Sequence, residues 1–300
     1  MIGLQSSRLS RETHFAFTDG KRAAFEADSP RQNHLLAALP LEDYERLLPA
    51  LESGPLPLGS TVYDAGEREN YLYFLTGGAV CHLCVLKDGT SAAFAVTGSE
   101  GVIGVASFLG GESTPSQVRV VSAGHAYRLK AAVLKTQFKY GGPVQHVLLR
   151  YTQALITQMA QAAVCNRHHS LEQRLCHWIL SCLDRVSLNE LTITQRLIAS
   201  MLGVRREGIT EAAGKLQKAG LIQYNRGYIA VLDRRGLEAR VCECYAVVKR
   251  ESDRLLHPQN SIRNAGAQRA WREPRRGGVD TALVLALPVT PVRPAMLRSA

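Results

Sequence analysis

Arg205, Arg206, Glu207, Thr210 and Glu211 fall within seven residues and interleave with Ile209, Ala212, Ala213 and Leu216. A guanidinium can fork onto the O6 and N7 acceptors of guanine, a carboxylate accepts from the cytosine amine, and a threonine hydroxyl serves as either partner. On a helix the apolar set turns inward, which leaves Arg206, Glu207 and Thr210, about one turn apart, as a base-reading edge. Arg205 and Lys215, nearer the rim of that face, suit phosphate oxygens, as does Arg226 further along the chain.

These side chains need a helix held at a fixed angle. Just upstream, Leu197, Ile198, Met201 and Leu202 share one face of a second helical stretch. Gly203 stands where the chain must reverse, a position that favours a residue free to take positive φ. Ala199, Gly203 and Ile209 then form a helix-turn-helix mask, with a small residue at the crossing, a turn glycine and a branched residue opposite. Asn225-Arg226-Gly227 follows as the tip of a hairpin, and helix, turn, helix and hairpin together predict a winged helix-turn-helix whose second helix enters the DNA major groove.

The charge lies where this reading needs it. The 300-residue chain has a formal net charge of +10. Residues 191–232 carry six Lys/Arg against two Glu, and residues 257–300 carry seven Arg against two acids. A polyanionic partner fits that distribution. No apolar run reaches the roughly 20 residues of a membrane span, and the N-terminus lacks a signal-peptide pattern, so a cytoplasmic protein is expected. Seven cysteines, an odd number, do not suggest a disulfide framework.

In chain order, residues 1–30 read as a disordered leader and residues 31–140 as a β-barrel domain. Structure begins near Asn33 with short helices, and β-rich runs at 61–63, 71–75, 79–86, 91–96, 118–121 and 126–129 predict an antiparallel barrel or jelly roll. Gly141-Gly142-Pro143 closes the β region and opens a long helix over 141–168. Val144, Leu148, Tyr151, Leu155, Met159 and Ala162 recur along it at spacings of three and four, a seam that predicts a dimer. The alternative is a helix buried against its own barrel. A helix from about Ser170 to Val186, the helix-turn-helix and one further helix over 233–256 complete a DNA-binding domain at 169–256. Residues 257–300 form an Arg/Pro-rich tail expected to be disordered. The fold class is therefore α+β.

Barrel, long helix and winged helix-turn-helix in this order resemble the CRP/FNR superfamily of bacterial transcription regulators. The likeness covers roughly residues 33–256 and is strongest in Glu172-Gln173-Arg174-Leu175-x2-Trp178-Ile179-Leu180 and from Leu191-Thr192-Ile193-Thr194-Gln195 to Gly203-Val204-Arg205-Arg206-Glu207. It implies a homodimer on a palindromic operator, double-stranded DNA as partner, RNA polymerase as a further candidate partner, and a barrel that takes an effector. Cyclic-nucleotide members hold the ribose with a Glu and the phosphate with an Arg-Ser pair. Here Val105 stands in place of the Glu and Thr114-Pro115 in place of Arg-Ser, so cyclic-nucleotide binding is not expected and no cofactor is assigned.

No metal site is expected either. Cys81 and Cys84, three apart on a strand, point to opposite faces. Cys242 and Cys244, two apart on a helix, point apart, and Cys165, Cys176 and Cys182 show no ligand pattern. No cysteine lies in residues 1–80, which excludes the N-terminal iron–sulfur sensor of this family. The chain carries no G-x-S-x-G, H-E-x-x-H or Walker lysine, so an enzyme is not expected. An enzyme and a scaffold that does not bind DNA are the competing classes.

Overall fold

A computed structural model describes residues 29–186 and 189–256. The expected leader and tail lie outside these residues, apart from 29–30. A 3-10 turn (Pro30–Gln32) leads into two short helices, α1 (His34–Ala37) and α2 (Leu41–Leu47). Asn33 caps α1 by accepting from the backbone of Leu35 and Leu36, and its Nδ2 donates to the carbonyls of Leu75 and Gly101, which ties this start to the barrel.

The barrel is built from two four-stranded antiparallel sheets. Its strands are β1 (Glu52–Leu56), β2 (Thr61–Tyr63), β3 (Tyr71–Leu75), β4 (Ala79–Val85), β5 (Ser91–Thr97), β6 (Val102–Ile103), β7 (Ser116–Ser122) and β8 (Gly124–Lys130). One sheet has the order β1-β8-β3-β6 and the other β2-β7-β4-β5. Alternation sends Val62, Tyr73, Leu75, Val80, Ile103, Val118 and Val120 into one buried cluster between them. All six expected β runs are present to within two residues of their bounds. The β region does not run on to Gly141, however: α3 (Val105–Leu109) follows β6, and α4 (Ala131–Tyr140) separates β8 from the long helix.

Gly141, at φ 76°, breaks the chain between α4 and α5 (Gly142–His168), and Pro143 sits in the first turn of α5. The expected seam on α5 divides. Val144, Leu148 and Tyr151 are buried against the chain's own barrel and helices, with Leu155 packed beside them, Ala162 half-buried and Met159 exposed. A different apolar stripe faces outward, formed by Leu149, Ile156, Ala160 and Ala163. At 3.6 residues per turn it lies roughly a third of a turn around the helix from the expected seam. Both faces of α5 are apolar, so the spacing alone does not say which one meets the barrel. Gln158 settles the packing from the polar side: its amide exchanges hydrogen bonds with the backbone N–H and C=O of Val96, covering the edge of strand β5.

The part expected to bind DNA comprises α6 (Leu171–Leu183), β9 (Glu190–Thr192), α7 (Gln195–Leu202), α8 (Arg206–Lys218), β10 (Ile222–Asn225) and β11 (Tyr228–Val231), with the wing sheet ordered β10-β11-β9. Ser170 and Gln173 form a capping box at the start of α6. The single helix expected over 233–256 is two, α9 (Arg234–Arg240) and α10 (Glu243–Leu256), because Val241 is extended at ψ 154°. Among the described residues no helix is long and apolar enough to cross a membrane.

Candidate nucleic-acid interface

Helix α7 begins at Thr194, whose hydroxyl accepts from Leu197 N–H, and ends at Gly203, at φ 63°. A Cβ there would stand 3.2 Å from the Cβ of Ala92, so both conformation and space favour glycine. Ala199, at the crossing, and Ile209, opposite it, are buried in the core shared by α6, α7 and α8. Gly203 thus ends α7 in a left-handed turn, and Ala199 and Ile209 are buried on either side of it.

Helix α8 presents Arg206, Glu207 and Thr210 to solvent and buries Ile209, Ala212, Ala213 and Leu216. Arg205 is its N-cap residue and makes no side-chain cap, which leaves the positive end of the helix open to an anion. Thr210 is less free than its position suggests. Its hydroxyl lies 2.9 Å from Gln195 Oε1 and 3.2 Å from the Arg206 carbonyl, so its one proton is held within the protein. Lys215 pairs with Glu211 at 2.8 Å and lies on the flank of α8 opposite Arg206. That contact holds the Glu211 carboxyl below its ordinary range.

The wing folds against this helix. Gln217 Oε1 accepts Tyr224 N–H at 2.9 Å, and the hairpin turns through Arg226 and Gly227, at φ 43° and 89°. Positive φ at both central residues is the two-residue turn that matches strand twist. Thr194, Gln195, Arg196, Arg206, Tyr224, Arg226 and Gly227 line one open cleft between the starts of α7 and α8 and the wing. Arg196, Arg205, Arg206 and Arg226 are exposed, and none has an ion-pair partner among the described residues. Four uncommitted guanidinium groups around a helix N-terminus make a site for phosphate and base edges. Gln195 and Arg196 also line this cleft and were not among the expected site residues, because they open the preceding helix and reach the cleft only through the turn.

On the barrel, Val105 is half-buried at the start of α3, and Thr114 hydrogen-bonds Ser116 Oγ at 2.8 Å. The α3 start already holds a carboxylate: buried Glu69 accepts Ser107 N–H at 3.2 Å, and the backbone N–H of Ala106 also favours its ionised form. Burial raises the pKa of Glu69, while these two N–H groups pull it back.

The cysteines depart from expectation at one place. Cys81 is buried and Cys84 exposed, on opposite faces as expected. Cys242 and Cys244 do not point apart, since the chain turns between α9 and α10, and both are buried against Cys165. One donor atom from each of Cys165, His169, Cys242 and Cys244 lies within 4.8 Å of every other, an arrangement able to hold a metal ion.

The sequence over residues 55–140 matches the cyclic nucleotide-binding domain family, and residues 173–240 match the Crp-like helix-turn-helix domain family. Comparison with curated protein sequences finds no significant match. Among solved structures, the fold is similar to a transcriptional regulator assigned to the Crp/Fnr family from Eubacterium rectale, with 19% identity, a TM-score of 0.57, and coverage of 69% of this chain and 96% of that one. FixK2 from Bradyrhizobium japonicum aligns with 17% identity and a TM-score of 0.56, over 64% of this chain and 98% of its own. A CRP-family transcriptional regulator from Thermus thermophilus, TTHB099, aligns with 18% identity and a TM-score of 0.53, over 68% of this chain and 98% of its own. With a cyclic-nucleotide-binding-type barrel, a long connecting helix and a Crp-like helix-turn-helix in one chain, this protein belongs to the CRP/FNR superfamily of transcription regulators.

Proposed function

We propose that the protein binds a palindromic operator as a homodimer, with α8 of each protomer in the major groove and the wing on the flanking backbone. The observation that carries this is the cleft of uncommitted arginines, Arg196, Arg206 and Arg226, at the N-terminus of an exposed recognition helix. Arg206 and Glu207 read base edges, Thr210 orients Gln195 beside them, and Arg205, Lys215 and Arg226 meet phosphate. The outward apolar stripe on α5 supports the dimer. A two-fold axis along α5 would set the half-sites one helical turn apart, about 34 Å.

On this reading the barrel does not take cyclic AMP or cyclic GMP. Val105 offers no carboxylate to a ribose, Thr114-Pro115 offers no guanidinium, and Glu69 occupies N–H groups at the start of α3 that an incoming phosphate would need. The activity is DNA binding rather than catalysis, in the compartment that holds the chromosome, and the second macromolecular partner is RNA polymerase.

Selection of bound sequences from a random duplex pool, followed by anisotropy titration at several salt concentrations, tests the proposal. The expected result is an inverted repeat bound with affinity that falls steeply with salt. Recovery of no sequence preference overturns it. Calorimetric titration with either cyclic nucleotide should give no heat of binding, and a micromolar dissociation constant would refute the reading of the barrel.

A further inference from the structure

The Cys/His cluster lies away from the DNA-reading edge and is built from two distant segments. Cys165 stands in the last turn of α5, and His169 is the residue that caps that helix and leads into α6. Cys242 lies in the break between α9 and α10, and Cys244 in the first turn of α10. Cys165 Sγ and Cys242 Sγ are 3.5 Å apart, and Cys244 Sγ is 3.6 Å from His169 Nδ1. A tetrahedron with metal–sulfur bonds of about 2.3 Å and metal–nitrogen bonds of about 2.0–2.1 Å has edges of about 3.5–3.8 Å. The two distances match those edges. In a bridged iron–sulfur cluster, thiolates on different irons would stand farther apart.

We propose that Cys165, His169, Cys242 and Cys244 form a tetrahedral site for one divalent zinc-class ion, which fastens the base of the DNA-binding unit to the long helix. Three thiolates and an imidazole are the donor set of a closed structural zinc site. The surroundings are those of a metal site as well. Glu243 Oε2 lies 3.3 Å from His169 Nε2, so the carboxylate fixes the proton on Nε2 and turns the Nδ1 lone pair toward the sulfurs. His177 Nδ1 lies 3.6 Å from Cys165 Sγ and 3.9 Å from Cys242 Sγ, placed to donate to thiolate. Three thiolates and a dication leave one negative charge. Arg174, whose Nε is buried without a partner, lines the same small pocket as Cys165 and offsets it.

The ion would join Cys165 to Cys242, 77 positions apart, and so close a loop that contains the helix-turn-helix and the wing. It also accounts for the break at Val241. A continuous helix would splay Cys242 and Cys244 by about 200°, whereas the turn brings both to one point.

Full-length protein, purified under reducing conditions with neither chelator nor metal affinity resin, should carry about one zinc per chain by mass spectrometry. Cobalt added to metal-stripped protein should give a thiolate charge-transfer band and the intense visible bands of tetrahedral coordination. Cys242→Ser and Cys244→Ser should abolish stoichiometric metal, while Cys176→Ser, a buried cysteine outside the cluster, should retain it. Glu243→Ala should weaken zinc binding about 10–100-fold in chelator competition. If the ligand variants fail to fold, the cobalt titration of the unaltered chain decides. Absence of both bound zinc and the cobalt bands overturns the proposal, as does iron with acid-labile sulfide, or a Cys165–Cys242 disulfide in reduced preparations.

Discussion

Arg206 is the first residue of α8, with its guanidinium in the cleft shared with Arg196 and Arg226. Arg206→Ala should cost about 1–3 kcal/mol on the selected site and relax preference at one base pair. Unchanged affinity and preference, read by anisotropy on the site and its single-base variants, would remove α8 from the groove. Arg226 needs a different replacement, because its φ of 43° disfavours alanine and is tolerated by asparagine. Arg226→Asn should weaken all sequences alike and flatten the salt slope by about one. A third residue reports on pH. His82 is buried with Nε2 at 3.0 Å from Thr97 Oγ1, and burial, reinforced by Arg185, pushes its pKa down to about 4. Between there and its unfolded value near 6.5, the unfolded chain holds more protons than the folded one. Stability should therefore fall as pH drops from about 6.5 through about 4, by on the order of 3 kcal/mol. Glu69, with a raised pKa, contributes with the opposite sign, so the difference between wild type and His82→Gln in denaturant melts isolates the histidine. Parallel pH profiles for the two proteins would contradict the assignment.

At the scale of elements, α5 carries two apolar faces, one buried and one outward. Leu148 is buried in the chain's own core, whereas Ile156 stands outward, 53% exposed. Ile156→Glu should dissociate the dimer in light scattering with little loss of protomer stability, and Leu148→Ala should cost about 2–5 kcal/mol while association is retained. The reverse pattern would restore the seam expected from sequence. That seam was legible as a helix but not as a surface, since hydrophobic period marks a face without naming what it meets. The strands show the same division. Those from β2 to β5 are set by local alternation and turn glycines, and they were readable to within two residues. Strand β1 contains Gly54 and Pro55 and becomes a strand only by pairing with β8, and β6 is two residues long. The α8 face was readable because one helix carries both its apolar and its polar sets. The Cys/His cluster was not, because its two halves meet only after the whole DNA-binding unit has folded between them.

At the scale of the whole molecule, barrel and DNA-binding unit share one core: Ala79, Cys81, Leu83 and Val121 from the barrel pack with α6, and that cluster runs on to Ile198, Ile209 and Leu216. One ion pair fastens the same junction. Arg185, beyond the end of α6, donates to Glu100 Oε1 at 2.6 Å and to the Ser181 carbonyl at 2.6 Å, with the arginine side chain 10% exposed and the glutamate 20%. Gly98 lets the arginine approach, since a Cβ there would stand 2.7 Å from Arg185 Cβ. Burying two charges costs nearly what their attraction returns, so the pair adds little net stability, yet removing one partner strands the other. Glu100→Ala should therefore cost about 3–5 kcal/mol in denaturant melts, and Glu100→Leu combined with Arg185→Met should recover most of that loss. If the single and double variants proved equally stable to wild type, the pair would be dispensable, and the apolar core alone would hold the DNA-binding unit against the barrel.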